Sequence, residues 1–579
     1  MLRIAACLAT VASLLAWPRW TFFVAIAGEA ALYYLVAHVP ESGQELCALH
    51  LAWFGLLLGI RQLAAERETD APEGQPGESF DSRAFLVQDL ILAGLAIAAA
   101  AIVSIVVLQR WCDSADEWAY TYQAAVFAKL HAYGKAPPCF SALQMYWVFT
   151  SEGRMFSQYT PGWSLFMAPF LSIGVVWLAG PCSLGLLAVA VARLARRAVA
   201  GASGGRGDVV VAAGPIAAIA LVGSSTVLIN GGSRFSHIFV CACFAWSVEA
   251  LSEMSRPSGH MRSPVGWGVV LGLASAWLLS TRPADGGTLG IGLFVYFVYA
   301  VADRRVAWRA MLATVTSFAI WGAFSLVVLR LQLGKWFATG YSLTAQFQAW
   351  SRFSMSAPKL GELKWGIPLA TGAHCWWPLA PTIGLYGLFA ALRREGRRVS
   401  FMLVVGTLAL ITFYSCVEFG RGGDFGYGPR HILPVIVPMA VGTAVALSPL
   451  WAAARARVHS HSALALGGPA LLAITAAVVG VVRIAPLIYP YNREDVRGRN
   501  AIRGAVERDH LTNAIIWLEP GTTVADPRDL TQNYPLELYP PPPVIFAIDT
   551  GEDMKRCVRE QYPGRKSYRS DSKAMLVPE

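Results

Sequence analysis

The chain has 579 residues, of which 55% are hydrophobic and 15% are charged, and its net charge is +10. A soluble protein carries about 25% charged residues, so this composition excludes an ordinary soluble enzyme and indicates an integral membrane protein. The apolar runs are long enough to cross a bilayer as helices rather than as barrel strands. Much of the positive charge lies in short loops between these runs, which argues against nucleic-acid binding.

The N-terminal region, residues 1–63, is predicted to form hydrophobic spans. It contains three apolar blocks, near 4–17, 20–38 and 45–63. The first block resembles a signal peptide, but no clear small-x-small cleavage site precedes the second block, so we expect it to be retained. Residues 64–84 are polar and rich in Pro and Gly, which predicts a disordered connector on the cytoplasmic side.

A transmembrane domain is predicted over residues 85–485. It begins with a span at 85–109, which is followed by a long polar loop over 110–160. Residues 161–176 are apolar and begin with Pro-Gly, so we expect a juxtamembrane or partly re-entrant helix. The later spans are predicted at 177–197, 208–229, 236–254, 264–281, 286–302, 307–331, 380–393, 400–418, 431–450 and 462–485. The result is a polytopic all-α membrane protein with about 11 core spans besides the N-terminal extension.

Lys and Arg are concentrated in alternate loops, and this pattern predicts the orientation of the chain. The short basic loops, which we expect to be cytoplasmic, are 193–197, 255–262, 303–309, 393–398 and 454–457. The opposite side then contains every long loop and every unusual polar cluster, including the loop at 110–160. This asymmetry favours a single active site on the extracytoplasmic face of the cytoplasmic (inner) membrane.

The tail, residues 486–579, has a soluble composition and is predicted to form a small α/β extracytoplasmic domain. It is near the smallest size that can hold its own core. The predicted elements are a helix at 498–516, strands at Thr522–Ala525 and Val544–Ile548, a helix at 552–561 and a last strand at 574–577.

The first loop carries three acidic residues, Asp113, Asp116 and Glu117, at positions i, i+3 and i+4. A helix would place them on one face, with Tyr120 one turn further on. One interpretation is that they are solvated and have no function. The alternative is partial burial beside aromatic residues such as Trp118, which raises the pKa of a carboxyl group toward the range of a general base.

The same loop ends in the stretch Ser157–Trp163, with the sequence SQYTPGW. Pro161 and Gly162 turn the chain into the next apolar stretch. The plainer interpretation is an interfacial turn with Trp163 in the aromatic belt. The functional interpretation is a fixed turn that places Gln158 and Tyr159 over the acids of the loop.

The basic residues on the predicted outer side are Arg234, His237, Arg282, Lys335, Lys364, His374, Arg421 and Arg430. Headgroup anchoring explains some of them, and Arg282 could pair with Asp285 at i+3. A subset could bind a phosphate at the membrane surface, because Arg donates to phosphate in a bidentate manner. Arg421 and Arg430 flank a Gly-rich turn before a span, which favours them for this role.

The ten Cys residues show no metal-binding spacing. Cys112 and Cys139 share the first loop and are candidates for a disulfide if that loop faces an oxidising compartment. No cofactor is certain from the sequence. A divalent metal remains an open alternative, although its candidate ligands also lack a recognised spacing. These ligands are His131, His237, His374 and Glu152.

Six stretches of the chain carry a family resemblance, namely 116–135, 155–170, Ser236-His237, Thr281–Asp285, Gly426–Pro434 and Tyr562–Arg565. In their residues and their order they resemble the GT-C superfamily. The resemblance is to its polyprenyl-phosphate-sugar-dependent transferases, such as protein O-mannosyltransferases and the aminoarabinose transferase of lipid A. Thr160 departs from the Pro commonly found before Pro-Gly, and His431 replaces the usual Tyr.

The resemblance implies a GT-C fold and transfer of a sugar, with inversion, from a polyprenyl-phosphate donor to a glycan, lipid or protein acceptor. It implies Asp116 as the general base, with Glu117 assisting and Asp113 as the next candidate. Arg430, Arg421 and Arg282 would hold the donor phosphate. The cavity would be lined by Gln158, Tyr159, His237 and His374. A transporter or flippase for an anionic polyprenyl-linked lipid is the alternative, and a structural subunit is a third.

Overall fold

The computed structural model describes residues 82–202, 207–255, 263–343, 384, 387–388, 391, 397–416, 430–458, 485–519, 527–570 and 575–579. Some predictions therefore lie outside the described residues. These are the N-terminal blocks, all but the end of the connector, most of the spans at 380–393 and 462–485, and the strand Thr522–Ala525. Arg421, His374 and Lys364 also lie outside them.

The membrane part consists almost entirely of helices. Seven helices are long and apolar enough to cross a membrane among the described residues, and an eighth span arises if one bent pair is counted. The helices are α1 (Ser82–Val106), α2 (Ala115–Ala128), α3 (Phe140–Leu143), α4 (Pro161–Ser172), α5 (Ala179–Ala202), α6 (Gly207–Val222), α7 (Ser225–Gly232), α8 (His237–Met254), α9 (Pro264–Thr281), α10 (Pro283–Ala302), α11 (Trp308–Leu333), α12 (Arg397–Cys416) and α13 (Ile436–Val458). Short 3-10 turns cover Val176–Leu178, Gly340–Leu343 and Arg430–Val435.

Most predicted spans in this part correspond to one helix, but the span predicted at 208–229 is broken. Its two halves, α6 and α7, meet at an angle of 74°. Ser224 lies at the break, and its side chain accepts a hydrogen bond from the backbone N–H of Val227. A Ser in this position competes with the continuous helix by capping a new one, which explains the bend.

The basic stretch 193–197 is not a loop, as the sequence predicted, but part of α5. Its arginines are paired with acids on neighbouring helices. Arg193 donates to Asp89 at 2.8 Å, Arg196 also donates to Asp89, and Arg197 donates to Glu249 at 2.6 Å. These partly buried ion pairs join α1, α5 and α8. Removing one partner of a pair would destabilise the protein, because it would leave a buried charge without compensation.

The first loop has more structure than the sequence indicated. After α2 the chain forms three short strands, β1 (Gly134–Lys135), β2 (Val148–Ser151) and β3 (Arg154–Ser157), in the antiparallel order β1-β3-β2. The hairpin β2–β3 leads directly into the SQYTPGW turn. The loop is therefore a folded layer on top of the helices.

The C-terminal unit (residues 485–579) is a small α/β structure, which agrees in type with the sequence prediction. Its sheet has the order β5-β4-β6-β7, with β4 parallel to β5 and β6, and β7 antiparallel. The elements are α14 (Ala485–Arg499), α15 (Ala501–Arg508), β4 (Ala514–Leu518), α16 (Pro527–Leu530), β5 (Val544–Ile548), α17 (Glu552–Gln561), β6 (Lys566–Ser570) and β7 (Leu576–Pro578).

The helix predicted at 498–516 is wrong after Arg508, where α15 ends and a short turn leads to β4 at Ala514. All five residues of β4 are buried. A continuous apolar run rich in β-branched residues is typical of a central parallel strand, and this tertiary environment outweighs a local helical pattern. The strand at Val544–Ile548 and the helix at 552–561 are confirmed.

The candidate disulfide between Cys112 and Cys139 is not formed. Cys139 is bonded to Cys557 of α17, 418 residues away, and Cys112 is a buried free thiol. The cause is the position of the C-terminal unit, whose core packs on α3 and includes Cys139. The bond therefore ties the first loop to the C-terminal unit.

This pairing predicts the outcome of peptide mapping without reduction. The peptide that contains Cys139 should be recovered joined to the peptide that contains Cys557. Cys557→Ser should release it and destabilise the C-terminal unit by about 2–5 kcal/mol, because loss of a native cross-link frees the unfolded chain. Cys112→Ser is the control, and loss of the linked peptides in that variant would contradict the pairing.

Candidate functional site

The acidic cluster is built around the N-terminus of α2. Ser114 caps the helix by accepting a hydrogen bond from the N–H of Glu117 at 3.3 Å, and Glu117 accepts one from the N–H of Ser114 at 3.2 Å. This reciprocal pattern is a capping box. Asp113 therefore precedes the helix, whereas Asp116 and Glu117 lie in its first turn.

Glu117 is fully buried, and its carboxylate binds backbone rather than open space. One oxygen accepts from the N–H of Asp113 at 2.7 Å, and the other accepts from the N–H of Arg234 at 2.6 Å. Burial raises the pKa of Glu117, while these backbone donors and the Arg234 charge oppose the rise. With its oxygens bound in this way, Glu117 positions two chain segments, and we do not assign it contact with an acceptor.

The guanidinium of Arg234 is bound by groups of the protein itself. Its guanidinium donates to the carbonyl of Arg110 at 2.7 Å and to the sulfur of Cys112 at 3.0 Å. Its carbonyl accepts from the indole N–H of Trp163 at 2.7 Å. Trp163 is completely buried, so the interpretation that it belongs to an interfacial belt is wrong. The segment around Arg234 is thus fixed from three sides.

Of the three acids, Asp116 is the one that is partly exposed. Its side chain is 24% exposed, and one oxygen accepts a hydrogen bond from the hydroxyl of Tyr159 at 2.6 Å. The other oxygen lies 3.3 Å from Nη2 of Arg430. The structure therefore brings together three residues that the sequence had predicted for the site, although they are far apart in the chain.

Three tyrosines form the wall behind Asp116. The ring of Tyr159 stacks on Tyr120 at 4.2 Å and meets the edge of Tyr341 at 5.7 Å. Burial and the adjacent Asp116 charge raise the pKa of Tyr159 well above its usual value. Burial also raises the pKa of Tyr120 to about 12. Tyr159 therefore stays protonated and donates to Asp116.

The segment that carries Tyr341 approaches the site very closely. A Cβ atom on Gly340 would lie 2.3 Å from the Cα of Gln158, so only glycine fits here. Gln158 is buried, and its Oε1 has no hydrogen-bond partner within the described residues. The structure thus places the predicted Gln158 beside Tyr159 at the base of the site.

Arg430 begins the 3-10 turn that leads into α13. Its guanidinium lies 4.3 Å above the ring of Phe235, and its side chain is 17% exposed. This cation–π contact and the contact with Asp116 fix the direction of the side chain while leaving N–H donors for a ligand.

Arg282 is held by the partner predicted from the sequence. Its Nε donates to Asp285 at 2.7 Å, and its Nη2 donates to the hydroxyl of Tyr414 at 3.3 Å. Tyr414 in turn donates to Asp285. The charge of Arg282 is therefore largely balanced before any ligand binds.

His237 lies at the start of α8 and is 2% exposed. Neither ring nitrogen has a hydrogen-bond partner among the described residues. Its ring stacks on His431 at a distance of 6.0 Å, and it lies within electrostatic reach of both Arg282 and Arg430. A buried imidazole with two unused nitrogens near two arginines indicates a polar site, since buried polar groups are normally hydrogen-bonded.

A cavity of about 270 Å³ opens beside Asp116, between α2 and the C-terminal unit. Arg499 of α14 lies on the far side, 3.2 Å from Asp495 and 3.9 Å from each of Asp113 and Asp529. The cavity is lined by Asp113, Ser114, Ala115, Asp116, Tyr146, Trp147, Phe235, Arg430, Asp495, Arg499 and Asp529.

Sequence reasoning missed several site residues. Tyr341, Arg499 and Trp147 were not predicted for the site. No spacing links them to the acids, because their proximity arises only from tertiary packing.

No metal site is formed in the part of the chain that the structure describes. No group of three or more His, Cys, Asp or Glu side chains there is arranged to hold an ion. Among the candidate ligands, His131 is exposed, and Glu152 pairs with Arg154 on the hairpin β2–β3.

No protein-family model matches this sequence, and no curated protein matches it. Among solved structures, ArnT from Cupriavidus metallidurans bound to undecaprenyl phosphate is 14% identical, with a TM-score of 0.49, and the alignment covers 85% of this chain and 94% of ArnT. The oligosaccharyltransferase AglB from Archaeoglobus fulgidus is 13% identical, with a TM-score of 0.39 and coverage of 80% and 61%.

Because the Glu117 carboxylate binds backbone N–H groups, we expect its substitution to lower the stability of the protein and not only its activity. Glu117→Gln should lower the free energy of unfolding by about 1–3 kcal/mol. The glutamine NH₂ group is a donor, and it would face a backbone N–H group that donates to the carboxylate in the wild type. Thermal unfolding of the purified protein measures this change. Asp116→Asn is the matched control and should cost at most about 1 kcal/mol, since that side chain is partly exposed. Equal melting temperatures for Glu117→Gln and wild type would contradict the structural role.

Proposed function

We propose that the protein is an inverting glycosyltransferase of the cytoplasmic membrane that moves a sugar from a polyprenyl-phosphate donor to an acceptor hydroxyl. The observation that carries the proposal is the position of Asp116, hydrogen-bonded to Tyr159 and next to Arg430 at the mouth of a cavity. Such a transfer requires a carboxylate that accepts a proton and, at the same opening, a cationic group with unused N–H donors. The order of the sequence motifs supports the donor class.

Asp116 is the proposed general base. It would take the proton of the acceptor hydroxyl while the acceptor oxygen forms a bond to the anomeric carbon of the sugar. The bond from that carbon to the phosphate oxygen breaks, and the electron pair leaves with the polyprenyl phosphate. The hydrogen bond from Tyr159 fixes one carboxylate oxygen, so the other one faces Arg430 and the cavity.

Arg430 is the proposed ligand of the departing phosphate. The phosphate gains charge as it leaves, and donors already directed at that charge stabilise the transition state more than the ground state. Arg282 and His237 lie on the same side, and the free nitrogens of His237 would add a donor. Asp285 keeps the resting site from carrying an uncompensated charge at Arg282. Arg421 and His374 stay proposed members of the site from the sequence alone.

We place the site and the C-terminal unit on the extracytoplasmic side. The disulfide between Cys139 and Cys557 supports this placement, because disulfides persist in oxidising compartments. The basic residues of α5 also support this placement. They lie at the other end of the helices, and Lys and Arg are enriched on the cytoplasmic side of membrane proteins.

Incubation of the purified protein with a panel of polyprenyl-phosphate sugars tests the proposal. Release of free polyprenyl phosphate that depends on an added acceptor is the expected result. Asp116→Asn should lower the rate by about 10²- to 10⁴-fold, the usual contribution of a general base. Tyr159→Phe should lower it by about tenfold, because one hydrogen bond to the base is lost. A lipid-transport assay in the same vesicles would reveal a flippase, and transport without release would overturn the proposal.

Arg430 should affect the donor more than the acceptor. Arg430→Ala should raise the donor KM and lower kcat, so that kcat/KM for the donor falls by about 10²-fold. The reason is the loss of a charge-assisted contact with the leaving phosphate. Arg430→Lys keeps the charge but not the bidentate geometry and should recover part of the rate. The measurement is a donor titration at two salt concentrations. An unchanged donor KM and kcat in Arg430→Ala would remove this residue from the phosphate site.

A further inference from the structure

The C-terminal unit contacts the first loop at the segment that carries the proposed base. Asn500, at the junction of α14 and α15, is 1% exposed and donates from Nδ2 to the carbonyl of Cys112 at 3.0 Å. The same amide donates to the carbonyl of Val496 at 2.9 Å, which fixes its direction. The acceptor, Cys112, directly precedes the Asp113-Ser114 pair that caps α2.

The neighbouring residue acts on the same segment by charge. Arg499 lies 3.9 Å from Asp113 and 3.2 Å from Asp495, and it shares the cavity with Asp116. Burial lowers the pKa of Arg499, but the charges of Asp495, Asp113 and Asp529 together raise it above the usual value. The guanidinium is therefore charged and bridges the loop and the C-terminal unit.

A third contact is made one turn into α2. The ring of Trp118 meets Tyr534 at 5.4 Å, and the guanidinium of Arg503 lies 5.4 Å from the Trp118 ring. Trp118 is buried and follows Asp116 by two residues. The contacts from the C-terminal unit thus lie on both sides of Asp116 in the sequence.

We propose that Asn500 and Arg499 are positioning residues, through which the C-terminal unit holds the Cys112–Ser114 segment and thereby sets the place of Asp116. The proposal gives the C-terminal unit a part in the reaction without contact with the substrate. Its catalytic consequence rests on the proposed function, whereas the mechanical link between the unit and the loop does not.

The mechanical link is tested through Cys112, a buried free thiol 3% exposed in the segment concerned. The full-length protein in detergent is treated with N-ethylmaleimide, and modification of the Cys112 peptide is followed by mass spectrometry. Asn500→Ala should increase the rate of modification about tenfold or more, because loss of a buried hydrogen bond favours opening of the segment.

Tyr539→Phe is the matched control. It removes another hydrogen bond between the same two parts, from the Tyr539 hydroxyl to the carbonyl of Ala125 at 2.9 Å, away from Cys112. The rate at Cys112 should not change in this variant. An unchanged rate in Asn500→Ala, or an equal increase in both variants, would overturn the proposal.

A second pair of variants tests the effect on transfer and does not depend on the folding of Asn500→Ala. Arg499→Gln should lower kcat about tenfold with the donor KM unchanged, because the base and not the phosphate site is displaced. Arg499→Lys should restore most of kcat. An equal loss in both variants, or a rise in donor KM, would contradict the positioning role. Faster modification of Cys112 in a protein without transfer activity would leave the link standing and reject the proposed function instead.

Discussion

The site depends on one buried interaction, the carboxylate of Glu117 with the backbone of two distant segments. It accepts N–H groups from Asp113 and Ser114 at the start of α2 and from Arg234 beyond α7. A buried carboxylate is costly unless its oxygens are bound, and here backbone N–H groups bind both of them. The same contact caps α2 and joins the first loop to the helices, so it directs the neighbouring Asp116 outward.

Charge balance follows from this arrangement. Asp116 lies next to Arg430, and Arg282 lies next to Asp285, so each proposed reactive group has a partner before a substrate arrives. Pairing of this kind limits the cost of placing charges near a bilayer. Because the Asp116–Arg430 contact is long and partly exposed, the proposed binding of a phosphate to Arg430 would not require a tight ion pair to break first. Arg282 is held more firmly and is suited to a supporting role.

The sequence was sufficient for the membrane class and for most helices. It also named Asp116, Tyr159 and Arg430, which the structure brings into contact. Hydropathy and the distribution of Lys and Arg depend on the bilayer, which acts on every span in the same way. The order of short motifs added the proposed roles. Spacing could not rank the three acids, because it took no account of Ser114, whose capping leaves Asp113 outside the helix.

The sequence could not predict the contacts that the C-terminal unit makes with the rest of the chain. Cys139 pairs with Cys557 across most of the chain, and Asn500 binds the carbonyl of Cys112 across a similar distance. No local pattern encodes such contacts, since each side is an ordinary residue in its own segment. The same reason explains the incorrect end of the helix predicted at 498–516, where Ile515 and Ile516 are buried in a parallel strand that its neighbouring strands stabilise.

These long-range contacts change how the first loop is understood. Its acids are not a solvated cluster, nor are they three equivalent candidates for a base. Glu117 binds backbone from below, Arg499 faces Asp113 from the C-terminal unit, and Asp116 is left between them with a tyrosine and an arginine. A carboxylate fixed by its own helix, by the membrane helices and by the C-terminal unit has little freedom to reorient. Such preorganisation is what a proton transfer coupled to bond formation requires, because little rearrangement is left to the reaction itself.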